Sequence, residues 1–318
     1  MDRVRAIAHP SLALIKYWGK AEGGINLPAV PSLALTLGGL STVTTARLAD
    51  RDGMVLDGVE RTDTKVLAFL DHIRTRTGST ARFWIESVND FPTAAGLASS
   101  ASGFAALAAA LWALIYQDEP DPGELSEWAR LGSGSACRSI FGGWTAWRAR
   151  SPRAEPLWPP EFWPEVRVVL FVVNAGPKPL GSREGMGLTR DSSPFYSAWV
   201  ADAPGLFDAA LDRLASQDWD GLGAVMRRSY LRMFATMLGA DPPVVYWLPA
   251  SVRLIHLAQR LRDEGLRVWE TMDAGPQVKY FCLEDQLEAV LKAVRDTVGP
   301  LEFRIARPGE GVRVEPCD

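Results

Sequence analysis

Between Phe91 and Gln117 the chain carries no charged side chain, and the two halves of that stretch call for different structures. The second half, residues 103–116, is continuously apolar. It falls well short of the roughly 20 residues needed to span a bilayer, so it predicts a helix buried in a globular core. The first half, Pro92-Thr93-Ala94-Ala95-Gly96-Leu97-Ala98-Ser99-Ser100-Ala101-Ser102-Gly103, is built of small residues and follows a strand-like run at residues 82–88. Small residues let backbone amides approach an anion, and the helix beyond them offers unpaired N–H groups and the positive end of its dipole. Phosphate is the natural occupant of such a turn. Gly96 and Ala98 would give close backbone approach, while Ser99, Ser100 and Ser102 could add hydroxyl donors. Ser100 is the candidate ligand for a magnesium ion accompanying a nucleotide. The Gly-Lys-Ser/Thr ending of a Walker loop is missing.

The rest of the chain reads as an α+β protein. Strand patterns occur at residues 6–18 and 32–48, separated by the turn Asn26-Leu27-Pro28. Helical spacing is found at 64–76, 100–116 and 122–131. A proline- and tryptophan-rich segment at 151–164 interrupts the pattern and is followed by a strand at 166–173. Downstream, helices at 203–214, 219–237, 252–264 and 284–298 alternate with strands at 268–272, 278–283 and 303–306. Two lobes are expected, residues 1–175 and 176–318.

With 318 residues and 47% hydrophobic content, the chain can bury a full core. Its 34 basic and 38 acidic residues are interspersed, giving a net charge of −4. This offers no basic stripe for nucleic acid, so an anionic ligand would need local cations. Cys137, Cys282 and Cys317 have no paired spacing, which fits a reducing, cytoplasmic setting. Residues 1–8 lack the apolar core of a secretory signal, and neither export nor membrane association is expected. His9, His72 and His256 show no metal-ligand spacing and are assigned to structure. The twelve tryptophans are expected in the core and in homodimer packing.

Four clusters supply candidate chemistry. In Leu14-Ile15-Lys16-Tyr17-Trp18-Gly19-Lys20, two lysines and a phenol could converge on one anion. In Gly132-Ser133-Gly134-Ser135-Ala136-Cys137-Arg138-Ser139, a close-approach loop carries a guanidinium fork suited to a carboxylate. Gly181-Ser182-Arg183-Glu184-Gly185-Met186 offers a second hydroxyl and guanidinium, although an ordinary helix start fits it equally. Thr271-Met272-Asp273-Ala274-Gly275-Pro276 places an acid at a strand end, where it could orient or deprotonate an alcohol or simply stabilise its own turn.

The phosphate loop resembles the Pro-x-x-x-Gly-Leu-x-Ser-Ser-Ala loop of the galactokinase, homoserine kinase and mevalonate kinase superfamily. Together with Lys16-Tyr17-Trp18-Gly19-Lys20, Asn26-Leu27-Pro28, residues 132–143, 182–186 and 273–276, it is similar to the diphosphomevalonate decarboxylases. That resemblance implies a two-lobed small-molecule kinase fold, with a ribosomal-protein-like N-terminal lobe, a ferredoxin-like C-terminal lobe and the active site between them. It implies ATP and Mg2+ as cofactors and a phosphorylated mevalonate as substrate. ATP would phosphorylate the tertiary 3-hydroxyl, after which phosphate and carbon dioxide depart. The substrate implied is mevalonate 5-diphosphate. The 5-phosphate is an alternative, as are a 3-kinase that stops at phosphoryl transfer and a silent nucleotide-binding protein.

The resemblance also implies roles. Asp273 would position or deprotonate the hydroxyl, Arg138 would hold the carboxylate, and Lys16 would neutralise charge near the transferred group. Gly96, Ala98, Ser99, Ser100 and Ser102 would serve the nucleotide. Lys16, Tyr17, Lys20, Ser133, Ser135, Ser182, Arg183 and Met186 would surround the substrate. One departure stands out: the family's usual Asn-Ser-Ser is replaced by Val30-Pro31-Ser32, with Ala34 where a second serine is common.

Overall fold

The protein is represented by a computed structural model that describes residues 2–91, 99–174, 176 and 178–316. In chain order it begins with β1 (Arg3–Ala8), β2 (Ser11–Ile15), β3 (Ser32–Gly38), β4 (Thr42–Ala49), β5 (Gly53–Leu56) and β6 (Val59–Glu60). Helix α1 (Thr64–Thr77), strand β7 (Arg82–Asn89) and helices α2 (Ser99–Tyr116) and α3 (Pro122–Gly132) follow. A 3-10 segment (Gly134–Ile140) leads into β8 (Trp144–Trp147), β9 (Glu155–Trp158) and β10 (Val166–Val172). The remainder is α4 (Ser182–Ser192), α5 (Tyr196–Ala215), α6 (Trp219–Leu238), α7 (Pro249–Asp263), β11 (Val268–Met272), β12 (Val278–Leu283), α8 (Leu287–Val298), β13 (Glu302–Pro308) and β14 (Arg313–Pro316).

Local chemistry explains the helix boundaries. Asp63 caps α1 by accepting from the backbone amides of Lys65 (2.8 Å) and Val66 (3.3 Å), and Gly78 ends that helix with φ 71°. Asp121 caps α3 through Glu124 N at 2.8 Å, with Pro122 at the first helical position. Helix α2 has no polar face. Its alanines, including Ala105, Ala106, Ala108, Ala109 and Ala110, are all buried. Small side chains let this helix lie close against β1, β4, α3 and the 3-10 segment. It is long and apolar enough to cross a membrane by length and composition, but most of it is packed inside the protein.

Two sheets organise the molecule. The first has strand order β14-β1-β4-β7-β5-β6, antiparallel except for β5 and β7. With α1, α2 and α3 it encloses a core that includes Phe69, Phe83, Ile85, Leu111 and Trp128. The second runs β11-β12-β10-β13-β3-β8-β9, with β2 also on β3. It packs with the helices of the C-terminal half around Leu33, Val168, Phe171, Phe207, Phe234 and Tyr280.

Hydrogen bonding crosses the expected 175/176 division in both directions. β10 lies between β12 and β13, β13 pairs with β3, and β14 pairs with β1. The junction of β13 with β3 needs glycine on both sides, because a Cβ on Gly309 would lie 2.2 Å from Gly38 N. The helix expected at 203–214 begins earlier, at Tyr196, and continues through Pro204. Strands β5, β6, β8, β9 and β14 were not expected from the sequence.

Candidate active site

A cleft of about 380 Å³ opens where the end of β2, the starts of α2 and α4, the 3-10 segment and the β11–β12 hairpin meet. Lys16, the first residue beyond β2, is only 1% exposed. Its backbone N–H donates to Ser229 Oγ on α6 at 2.9 Å, which fixes the strand end against that helix. Its Nζ donates to Ala13 O at 2.6 Å and to Asp273 Oδ1 at 2.8 Å.

Asp273 is held from the other side as well, with Lys279 Nζ 3.0 Å from Oδ2. Thr271 faces Lys279 across the hairpin, so alternation along β11 brings Asp273 to the same face. Burial alone would raise the Asp273 pKa. The charges and hydrogen bonds of Lys16 and Lys279 overcome that and hold the carboxyl far below its ordinary range. The group is therefore a fixed anion and a poor proton acceptor. Its side chain is still 29% accessible, whereas each lysine side chain is 2% accessible, so the carboxylate is the part of this triad presented to a ligand.

Arg138 enters from the 3-10 segment and is 2% exposed. Its Nη1 donates to Ser32 Oγ at 2.6 Å, and its guanidinium carbon lies 6.0 Å from the Trp147 ring centroid. Its buried Nε has no partner among the described residues. A buried N–H without an acceptor costs about 1–3 kcal/mol, so a group that supplies an acceptor is favoured there. The phenol of Tyr17, whose ring is 4.8 Å from that of Trp147, is likewise buried and unpartnered. Burial raises the Tyr17 pKa and keeps it a neutral donor.

Further out, Lys20 Nζ donates to Asn26 Oδ1 at 2.6 Å, and Asn26 Nδ2 donates to Arg130 O at 2.8 Å near the end of α3. Ser133 Oγ lies 3.4 Å from both Ser100 Oγ and Ser135 Oγ. Gly181, Ser182 and Arg183 bring the N-terminus of α4 to the cleft wall, with Met186 one turn behind. Lys178 Nζ donates to Ser182 Oγ at 2.6 Å and to Ala274 O at 2.9 Å. Burial lowers Lys16, Lys20 and Lys178 to about 8 each.

The cleft thus brings together Lys16, Tyr17, Lys20, Ser99, Ser100, Ser133, Ser135, Arg138, Ser182, Arg183, Met186 and Asp273. Gly96 and Ala98 lie outside the described residues. Ser102 is a correction. It is fully buried on the inner face of α2, with its Oγ 2.6 Å from Thr42 Oγ, so it joins the helix to β4 and does not line the cleft. Ser102 is turned about 200° from Ser100 around the helix axis and lies a turn deeper than Ser99, which puts it in the core. Lys65, Lys178 and Lys279 were missed. Strand alternation opposite Asp273 could have found Lys279, but no local pattern marks the other two. Val30, Pro31 and Ala34 do not line the cleft, and Ser32 serves it through Arg138.

Among the described residues lining the cleft, six cations (Lys16, Lys20, Lys65, Arg138, Lys178 and Arg183) face one acid, Asp273. No cluster of three metal-ligating side chains occurs among the described residues. Magnesium is commonly held by one or two protein oxygens together with substrate phosphates, and the Ser100 hydroxyl fits that limited role. The arrangement can gather a polyanion, orient an alcohol against a fixed carboxylate and hold a carboxylate on a buried guanidinium.

Comparison with known proteins agrees with this geometry. Residues 8–155 match a diphosphomevalonate decarboxylase-like N-terminal domain, and residues 168–307 match a mevalonate 5-diphosphate decarboxylase C-terminal domain. Diphosphomevalonate decarboxylase mvd1 of Aspergillus fumigatus is 36% identical, over 94% of this chain and 81% of its own length. A solved structure of the mevalonate diphosphate decarboxylase from Enterococcus faecalis superposes with TM-score 0.92 at 35% identity, covering 99% of both chains. Another, of MDDEF in complex with MVAPP, AMPPCP and magnesium, gives 0.93 at 36% identity, again covering 99% of both chains.

Proposed function

The chain belongs to the diphosphomevalonate decarboxylase family, and from that membership and its cleft we propose that it converts mevalonate 5-diphosphate and ATP to isopentenyl diphosphate, ADP, phosphate and carbon dioxide. The observation that carries the reading is the placement of Asp273, held by Lys16 and Lys279, in the same cleft as Arg138 and the Ser99–Ser100 start of α2.

The residues divide the work as follows. Asp273 accepts the hydrogen bond of the 3-hydroxyl and aims its oxygen at the terminal phosphoryl group. Because Lys16 and Lys279 make the carboxylate so weakly basic, it contributes orientation and charge more than proton removal. A loose phosphoryl-transfer transition state makes little demand on a base: the hydroxyl proton passes late to the Asp273 carboxylate, as the new O–P bond forms and the bond to the ADP oxygen breaks. Lys16, Lys178 and the hydroxyls of Ser99 and Ser100 face the transferred phosphates. Mg2+ would supply charge neutralisation at those phosphates when bound, and the Ser100 hydroxyl would hold it. Lys20, Ser133, Ser135, Ser182 and Arg183 hold the 5-diphosphate, with the Tyr17 phenol as a further donor and Met186 as an apolar wall.

Once the 3-oxygen is phosphorylated, it leaves as phosphate with the C3–O electron pair. The C1–C2 bonding pair then forms the C2–C3 double bond as carbon dioxide departs. Arg138 holds the carboxylate in line for this step, and the fixed cations stabilise the departing phosphate. Six cations around one acid also raise the local concentration of polyanionic substrate on a protein whose overall charge is negative. The reading extends to a cytoplasmic homodimer. Cys137 and Cys282 are buried free thiols, and apolar Val245, Leu248 and Val252 are exposed near the start of α7.

The purified protein incubated with ATP and mevalonate 5-diphosphate should release carbon dioxide and ADP in equal amounts. The 5-phosphate should react far more slowly. Carbon dioxide appearing only with the monophosphate would reverse the substrate assignment, and ADP without carbon dioxide would indicate a kinase.

The pH profile provides a second check. Lys16, Lys20 and Lys178 must be protonated to attract phosphate, and each loses its charge near pH 8 in the free protein. We expect kcat/KM to fall above about pH 8 with a limb steeper than one proton, whereas the limb in kcat should lie higher because bound phosphates restore the lysine pKa values. A flat kcat/KM between pH 7.5 and 9.5 would show that these lysines do not govern capture.

A further inference from the structure

A second cavity, of about 630 Å³, lies on the C-terminal half of the molecule between α6, the end of α7 and the start of β11. It has no lining residue in common with the cleft. Among the described residues four arginines line it, Arg227, Arg228, Arg262 and Arg267, against a single lining acid, Asp220.

Two of these arginines are already committed. Behind the cavity Glu270, which is fully buried, accepts from Arg227 Nε and Arg262 Nη1, each at 2.6 Å. Arg228 and Arg267 make no ion pair or side-chain hydrogen bond among the described residues. They belong to different elements, α6 and the turn before β11, so two uncommitted arginines from separate parts of the chain line the cavity.

The wall formed by β11 is rigidly built. Trp269 lies on Gly223, where a Cβ would come within 2.2 Å of the indole, so only glycine admits the ring at that depth. Arg262 stacks over the indole at 4.3 Å, and Trp269 Nε1 donates to Asp220 Oδ1 at 3.2 Å. Ala224 and Leu266 add apolar surface beside the ring. Two uncommitted guanidinium groups lining a cavity with ordered walls suit the oxygens of linked phosphoryl groups, and Ala224 and Leu266 leave a place for a short apolar substituent.

We propose that this cavity binds a diphosphate group, either free pyrophosphate or a short diphosphate ester, at a site separate from the cleft. Its walls connect directly to the catalytic residues. α6 carries Arg227 and Arg228 and then Ser229, which holds the Lys16 backbone. β11 carries Trp269 and Glu270 and ends one residue before Asp273. Occupancy here would bear on the two elements that place Lys16 and Asp273. The binding claim does not depend on the reading of the cleft.

Calorimetric titration of the whole protein with inorganic pyrophosphate tests it. The wild type should show two classes of site. The double variant R228Q/R267Q should lose one class, or weaken it by about tenfold or more, since it removes two charge-assisted donors. The cleft variant R183Q should keep that class and weaken the other. Arg228 and Arg267 are exposed and unpaired among the described residues, so R228Q/R267Q should melt within a few degrees of the wild type and turn over normally without added anion.

Repeating the titration with isopentenyl diphosphate separates the two sources. Tighter binding than pyrophosphate indicates an ester whose tail meets Ala224 and Leu266, and equal or weaker binding indicates the free anion. The proposal fails if the double variant's isotherm superimposes on the wild type's, or if R183Q alone abolishes all pyrophosphate binding. It also fails if R228Q/R267Q disrupts self-association while leaving pyrophosphate binding intact, because the cavity would then be an interface between copies.

Discussion

Asp273→Asn should lower turnover by about 10³-fold while leaving ATP affinity within a few-fold of the wild type, a loss in the range expected when a positioned catalytic group is removed. The substitution keeps the size of the side chain and one carbonyl oxygen, so the hydroxyl could still find an acceptor. What disappears is the negative charge between two buried amines, Lys16 at 2.8 Å and Lys279 at 3.0 Å. Without it those amines repel one another, and the geometry that aims the alcohol is lost. Paired measurements of carbon dioxide release and ATP binding decide the matter. Turnover within about tenfold of the wild type would remove Asp273 from the mechanism.

The same variant should also report on stability. Burial already lowers Lys16 to about 8 against the pull of Asp273. Removing that counter-charge lowers it further and destabilises the folded state while the amine remains protonated. Between the folded and unfolded lysine pKa values, the unfolded chain binds more protons, so the free energy of unfolding rises with pH. The melting temperature of Asp273→Asn should therefore approach that of the wild type as pH is raised from 7 to 9.

Arg138→Lys should cut carbon dioxide release by about 10²-fold or more, because a point charge cannot reproduce a two-pronged contact with a carboxylate. The guanidinium is almost wholly buried, with Nη1 committed to Ser32 and Nε left without an acceptor. Lysine could keep the Ser32 contact or reach the substrate, but not both in the same geometry. Phosphoryl transfer depends on Asp273 and the nucleotide site, so ADP formation should fall less than carbon dioxide release. A 3-phosphorylated product should then accumulate. Equal losses in both products would show that Arg138 acts before the carboxylate leaves, and unchanged decarboxylation would show that it does not hold that group at all.

The parts of the site that were legible beforehand are those carried by contiguous residues. Lys16 through Lys20, Ser133 through Arg138 and Asp273 each sit at the end of a strand or in a turn that local patterning identifies. Their meeting in one cleft follows from the register of β2 with β3 and of β11 with β12. Lys178 was not legible, since it lies among Gly176, Pro177 and Pro179 with no periodicity to show which way it faces. Ser102 was misplaced because composition marks a serine-rich helix start but not the rotation of each residue about the axis. Helices α1, α2 and α3 were legible from apolar spacing and the apolar run, whereas the caps that fix the starts of α1 and α3, Asp63 and Asp121, emerge only in the structure. Strands β8, β9 and β14 are short, and long-range pairing defines them more than any alternation of their own.

That long-range pairing governs the order in which the protein can mature. β1 is synthesised well before residues 313–316, which complete one of its edges, and β3 meets β13 only after residue 307 has been made. Until then the nascent N-terminal half exposes bare backbone donors and acceptors, the condition under which strands recruit wrong neighbours. The two halves are consequently interlocked rather than modular, with β13 and β14 acting as a clasp between them.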